Sequence, residues 1–281
     1  MLVTPMRQTR HLARIVFLGT LIVLIGLLPV RAADRDRLEA FLEVTGFGVA
    51  LDSIALAAAD APVMLGLTAS DFGHDWARVA GEVFDTARMR DTGIDILSQT
   101  LSDEMLSHAA DFYASDLGQR LVEVENASHM IEDDAAKRAE GEALLAEADE
   151  ARITVLQDMN AAVDGAGAGV RALQEIQLRF LLAASYAGVL DTQIDEGTLR
   201  AMLAEREDDL RAALRASALA NAAYTYQDLG TDDLRAYVEA LEDPLMARVY
   251  ELMNAVQYEI MAGRFEVLAA RMADMHPGQE L

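Results

Sequence analysis

The chain has no cysteine, a single lysine (Lys137) and five prolines in 281 residues, and each shortage closes off a class of protein. Without cysteine there is no disulfide framework, thiolate nucleophile, thiolate metal site or thiol redox chemistry, so any fold must be held by packing alone. With Asp134 three residues before the only lysine, no Ser-x-x-Lys nucleophile exists, and Gly-x-Ser-x-Gly is absent as well. Gly165, Gly167 and Gly169 have neither the spacing nor the preceding strand of a phosphate loop. Basic charge is also short: 23 Lys and Arg against 47 Asp and Glu give a net charge of −24. That argues against nucleic acid as a partner and leaves open a basic protein surface, divalent cations or plain solubility. The acidic runs Glu132-Asp133-Asp134 and Glu207-Asp208-Asp209 lack the alternating ligands of a calcium loop and read as solvated helix faces.

What is present at the start is an export signal. Arg7, Arg10 and Arg14 precede an uncharged stretch from Ile15 to Val30, and Val30-Arg31-Ala32 fits a signal-peptidase site cut between Ala32 and Ala33. The apolar stretch is shorter than the roughly 20 residues of a spanning helix and ends at Pro29, so no stable membrane insertion is expected after cleavage. Loss of Arg7, Arg10, Arg14 and Arg31 takes the charge from −24 to −28. The expected compartment is the periplasm.

The chain as a whole is 52% hydrophobic, and the part after the leader is rich in Ala, Leu, Glu, Arg and Met and almost free of period-two alternation, which predicts an all-α fold. It further reads as a helical bundle or array built from two tandem copies of one unit. Phe41-Leu42, Gly46-Phe47 and Leu51-Asp52-Ser53 return without a gap as Phe180-Leu181, Ser185-Tyr186 and Leu190-Asp191-Thr192. In the same order, Ser102-Asp103-Glu104-Met105 returns as Thr231-Asp232-Asp233-Leu234, and Ser115-Asp116-Leu117 as Asp243-Pro244-Leu245. The expected layout is a signal peptide over residues 1–32, a first unit over 33–164, a glycine-rich hinge over 165–169, a second unit over 170–275 and a tail over 276–281. Within the first unit, 132–164 reads as one long, charged, partly exposed helix.

Local grammar agrees between the copies. Ser102 and Ser115 are placed to cap consecutive helices, and Asp243-Pro244 marks a tight corner, with Asp as cap and Pro at the first helical position. Leu234, Val238, Leu241, Leu245, Val249, Leu252 and Val256 form an apolar stripe through that corner. The run Phe112-Tyr113-Ala114-Ser115-Asp116-Leu117-Gly118-Gln119-Arg120, entered through Ser102-Asp103-Glu104, resembles the signature of the bacterial domain-of-unknown-function 2059 family, with Asp116 where the family usually has Pro. The second copy keeps Thr231, Asp243, Pro244 and Arg248 but lacks the Phe-Tyr pair and the Gly. The resemblance implies an exported helical protein, structural roles for Ser102, Phe112, Tyr113, Ser115, Gly118, Thr231, Asp243 and Pro244, and no assigned activity.

Chemistry-bearing residues are few. His108 and Asp111 share a helix face, His129 lies near Glu132, Asp133 and Asp134, and no paired-ligand spacing such as His-Glu-x-x-His joins any histidine to another. Trp76 reads as a core or inter-helix anchor. The odd positions are Asp52, inside the run Val49-Ala50-Leu51-Asp52-Ser53-Ile54-Ala55, and its counterpart Asp191. Each must be ion-paired, capping, or facing a wet cavity, since a lone buried carboxylate is too costly. They are the candidate ligand-binding residues; no catalytic, cofactor or metal residue is assigned and no cofactor is expected. The function expected is non-catalytic contact with a protein or envelope component, one with a basic surface being the complement of the acidic charge. The rivals are a small-ligand or cation binder and a carboxylate-dependent hydrolase. A buried, polar-lined cavity of roughly 300 Å3 or more would favour the binder, and a carboxylate pair in an open groove the hydrolase.

Overall fold

The computed structural model describes residues 35–164, 167–190 and 193–275, and every regular element among them is helical. In chain order these are α1 (Arg35–Val44), α2 (Phe47–Ser53), a 3-10 turn (Ile54–Asp60), α3 (Ala61–Met64), a second 3-10 turn (Ala69–Phe72), α4 (Trp76–Val83), α5 (Thr86–Thr100), α6 (Asp103–Tyr113) and α7 (Asp116–His129). They continue as α8 (Asp134–Glu147), α9 (Glu150–Asp164), α10 (Ala168–Tyr186), α11 (Glu196–Glu205), α12 (Glu207–Thr225), α13 (Thr231–Leu241) and α14 (Pro244–Met275). The leader and its cleavage site lie outside the described residues, as do Asp191 and Thr192. No single helix among the described residues is long and apolar enough to cross a membrane.

The caps read from the sequence form as hydrogen bonds. Ser102 Oγ accepts from Met105 N at 3.2 Å and Ser115 Oγ from Gly118 N at 3.1 Å, each satisfying a backbone donor that a helix start leaves orphaned. Asp243 Oδ1 accepts from Leu245 N at 2.8 Å, so Pro244 does open α14 behind an Asp cap. Thr231 is the first residue of α13, whose N-cap is Gly230 with no side-chain bond.

The long helix expected over 132–164 is instead two. Ala148 is extended, with ψ 146°, and Asp149 accepts from Arg152 N at 2.8 Å, so a new helix start is capped in mid-stretch. The sequence displays this Asp, but the apolar spacing on either side masks the break.

Around α14 the core assembles. This helix has 32 residues, about 48 Å of axis. It packs against α10, α6, α5, α4 and α9, burying Met246, Val249, Met253, Val256, Ile260, Phe265 and Leu268. The inward stripe keeps Val249 and Val256 of the expected one but takes Met246 and Met253 in place of Leu245 and Leu252, which are only partly buried. Phe265 meets Phe84 and Phe180 edge-on at 5.4 and 5.3 Å. Trp76 is buried and lies 5.3 Å from Phe72, an anchor within the core. The core runs without interruption from Leu38 to Met272, and Arg179 of α10 bridges Glu259 and Glu266 of α14 at 2.9 and 2.7 Å.

Two glycines are required by close approach. A Cβ on Gly118 would sit 2.4 Å from Phe112 O and 2.5 Å from Tyr113 Cα, so the α6–α7 corner can only be this tight with Gly there. A Cβ on Gly141 would sit 2.0 Å from Ala220 O, where the backbones of α8 and α12 touch.

Candidate functional site

The elements around α7 bring together a group that sequence reading passed over. Leu121, Glu125 and Ser128 share a face of α7, the helical i, i+4, i+7 spacing, and that face turns inward. Glu125 thereby enters the protein interior. Its Oε1 accepts hydrogen bonds from Tyr226 at 2.6 Å and Tyr237 at 2.9 Å. Tyr237 is in turn 2.6 Å from the Tyr250 hydroxyl and 3.0 Å from that of Tyr113, and Tyr113 and Tyr250 are themselves hydrogen-bonded. Four of the chain's seven tyrosines, from α6, the end of α12, α13 and α14, thus converge on one carboxylate.

Ring packing fixes the cluster. Phe112 stacks on Tyr237 at 5.9 Å with planes 8° apart, and Phe47 meets Tyr250 edge-on at 5.5 Å. Since Tyr237 and Tyr226 each give their proton to Glu125, the remaining hydroxyls are ordered behind them and the network points toward the acid. Burial pushes the Glu125 carboxyl up to about 7, and the hydrogen bonds from Tyr226 and Tyr237, which favour the anion, only partly offset it. Tyr113, Tyr226 and Tyr237 are pushed well above the ordinary tyrosine range, first by burial, and so stay protonated.

Glu125 lies deep in the protein, yet part of its surface is open. Its second oxygen, Oε2, has no hydrogen-bond partner among the described residues and is not enclosed by protein atoms. It faces a cavity of about 1530 Å3. Positions 250, 254, 257, 258 and 261 of α14 form one wall, a helical stripe of Tyr, Asn, Gln, Tyr and Met. The rest is lined by residues of α2, α7, α8, α9, α10 and α12, with His129 and Asn126 near Glu125 in sequence and the exposed Glu132, Asp133, Asp134, Arg138 and Arg215 where the space reaches the surface. Burial, then the charge of Lys137, lowers the His129 pKa. Two carboxamide oxygens, Asn126 Oδ1 and Asn221 Oδ1, are buried without a partner.

The residues singled out from sequence are distributed differently. Asp52 is held by Arg90 of α5, Nε to Oδ1 at 2.7 Å with a second contact from Nη2 to Oδ2, the ion-paired alternative, and it does not line the cavity although Leu51 and Ser53 do. Its counterpart Asp191 lies outside the described residues. His108 turns toward Asp243, 3.1 Å away, so it reaches the α14 cap. Arg120 grips Asp233 with both guanidinium nitrogens at 2.8 and 3.0 Å. Both pairs join α6 and α7 to α13 and α14. Of the signature residues, Tyr113 joins the hydroxyl network and Phe112 buttresses it, while Ser115 and Gly118 set the corner that aims α7. Among the described residues no group of three His, Asp or Glu side chains is placed to hold a metal ion.

Fold and site together define an all-α protein with a partly open cavity and a tyrosine-bound acid at its wall. Residues 87–147 match the family described as uncharacterized protein conserved in bacteria (DUF2059), the family that the run from Phe112 to Arg120 resembles. No curated protein and no solved structure matches the chain.

Proposed function

We propose that this protein is an exported, non-catalytic binder that takes a small organic ligand into the cavity beside Glu125. The cavity carries the reading. It is partly open to solvent and holds about 1530 Å3, above the roughly 300 Å3 of a small-ligand site, and its walls mix apolar side chains with polar ones. Glu125 supports binding over hydrolysis, because the groups bonded to it are neutral hydroxyls that orient a carboxylate. The Arg-rich start and the Val30-Arg31-Ala32 site support export, so amino-terminal sequencing of the periplasmic protein should begin at Ala33; a membrane-retained species starting at Met1 would refute this.

Duplication is part of the same proposal. Phe41 in α1 and Phe180 in α10 are both buried, Met105 is partly buried where Leu234 is fully so, and both halves close on a helix pair joined by a capped corner, α6–α7 and α13–α14. Among the described residues, the short elements between α2 and α4 have no counterpart after α10.

Native mass spectrometry of the protein isolated from the envelope fraction, before and after Ala218→Trp, tests the binding reading. Ala218 lies on the cavity wall at an exposed position, so the indole adds bulk to the space without entering the core. Wild type should carry a bound small molecule that the variant lacks. A ligand present at 100 times its Kd adds about 2.7 kcal/mol, so melting of the loaded protein should rise by several degrees in the wild type only. Equal loading and equal melting of the two proteins would sink the proposal.

A further inference from the structure

A carboxylate inside a protein is usually met by a cation, and Glu125 is met by none among the described residues. Tyr226 and Tyr237 satisfy Oε1, while Oε2 looks into the cavity with its lone pairs free. Other acceptors share the space. Asn254 commits an N–H to Val163 O at 3.2 Å and Gln257 one to Ala50 O at 3.3 Å, which fixes the two carboxamides and leaves their carbonyl oxygens unpartnered among the described residues. The pattern asks for a ligand rich in N–H donors, with a positive one at Glu125.

At the opening both signs of charge are present, with exposed Glu132, Asp133 and Asp134 beside exposed Arg138 and Arg215. Arg138 and Arg215 line the cavity, are exposed, and make no ion pair among the described residues of an otherwise strongly acidic chain. A carboxylate meets a partner there in either arginine. From Tyr250 to Met261 the α14 wall is roughly 16 Å long at the helical rise, the span of about four to five extended residues.

We infer that the cavity takes a short peptide with a free amino terminus, its ammonium on Oε2 of Glu125, its amide N–H groups on Asn254 and Gln257, and its carboxylate toward Arg138 and Arg215. This rests on the ligand-binding reading above. Docking of the ammonium draws the Glu125 proton off, and the neighbouring hydroxyls of Tyr113 (α6), Tyr226 (just after α12), Tyr237 (α13) and Tyr250 (α14) stay neutral while it does so; the pKa of His129, on the same helix, is lowered, by burial first and then by the charge of Lys137.

The test is titration calorimetry of the ligand-stripped full chain with three probes: a pool of tetrapeptides with free amino termini, the same pool N-acetylated, and spermidine. The free pool should bind at least about tenfold more tightly than the acetylated one, and Glu125→Gln should erase that preference. Binding of the free pool at pH 6 should release close to one proton, measured from buffers of different ionisation heat, and should turn to net uptake by about pH 8, where the peptide amino group is itself about half deprotonated and must gain a proton to bind. Equal binding of both pools, or tighter binding of spermidine than of any peptide, would overturn the inference. If peptides fail while the envelope molecule is still lost on Ala218→Trp, this inference falls and the ligand-binding reading stands.

Discussion

Glu125→Gln should melt well above the wild type at pH 8 and together with it near pH 4.5. In the folded protein the carboxyl holds its proton up to about pH 7, whereas the unfolded chain releases it at the ordinary 4.5. A raised carboxylate contributes stability that is fully present below the unfolded value and is lost as pH rises through the folded one, so the wild type weakens between about pH 4.5 and 7. The shift corresponds to about 3 kcal/mol, an upper bound because solvent in the cavity screens the charge. In a body of this size that is a difference of roughly 6 to 12 °C. Gln keeps an oxygen for Tyr226 and Tyr237 and removes only the charge. The opposing contribution of His129, whose pKa is lowered, is common to both proteins and cancels in the comparison. A melting difference that stays constant from pH 4.5 to 8 would show that Glu125 does not carry the pH dependence.

Gly141→Ala inverts an ordinary rule. In a helix interior Ala is favoured over Gly by about 1 kcal/mol, and Gly263, whose added Cβ would meet nothing within 4 Å, should follow that rule and gain stability as Gly263→Ala. At Gly141 the added methyl would meet Ala220 O, C and Cα at 2.0, 2.6 and 3.2 Å, all backbone, so α8 must move off α12. A loss of about 3 kcal/mol or more is expected in denaturant titration, since overpacking against backbone has no soft side chain to yield. Stability equal to that of Gly263→Ala would mean that the two helices are not in contact there.

The helices and their starts were legible because their causes are local. Ser102, Ser115 and Asp243 state their caps in the sequence, and Pro244 states the corner. The cavity was not legible, because its parts are brought together only by long-range packing: Glu125 and Tyr226 are 101 positions apart, and Tyr113 and Tyr250 are 137 apart. One signal was within reach. Tyr250, Asn254, Gln257 and Tyr258 lie on a single face of α14, between its buried apolar stripe and its exposed charged side, and such a polar, uncharged stripe marks either solvent or an internal space. Asp52 attracted attention for the opposite reason: apolar neighbours in sequence suggested isolation, while the Arg90 that satisfies it lies 38 residues on.

The order in which the chain is written has a consequence for how it closes. Glu125 is synthesised long before Tyr226, Tyr237 and Tyr250, and nothing upstream of Asp164 except Tyr113 belongs to its hydroxyl network. Until the last helices arrive, Glu125 lacks three of the four hydroxyls of its network and its carboxylate stays in water. Completion of the site is therefore a late event, governed by the far end of the molecule. Such a chain is poorly suited to completing its fold in stages and well suited to remaining open until all of it is in one place.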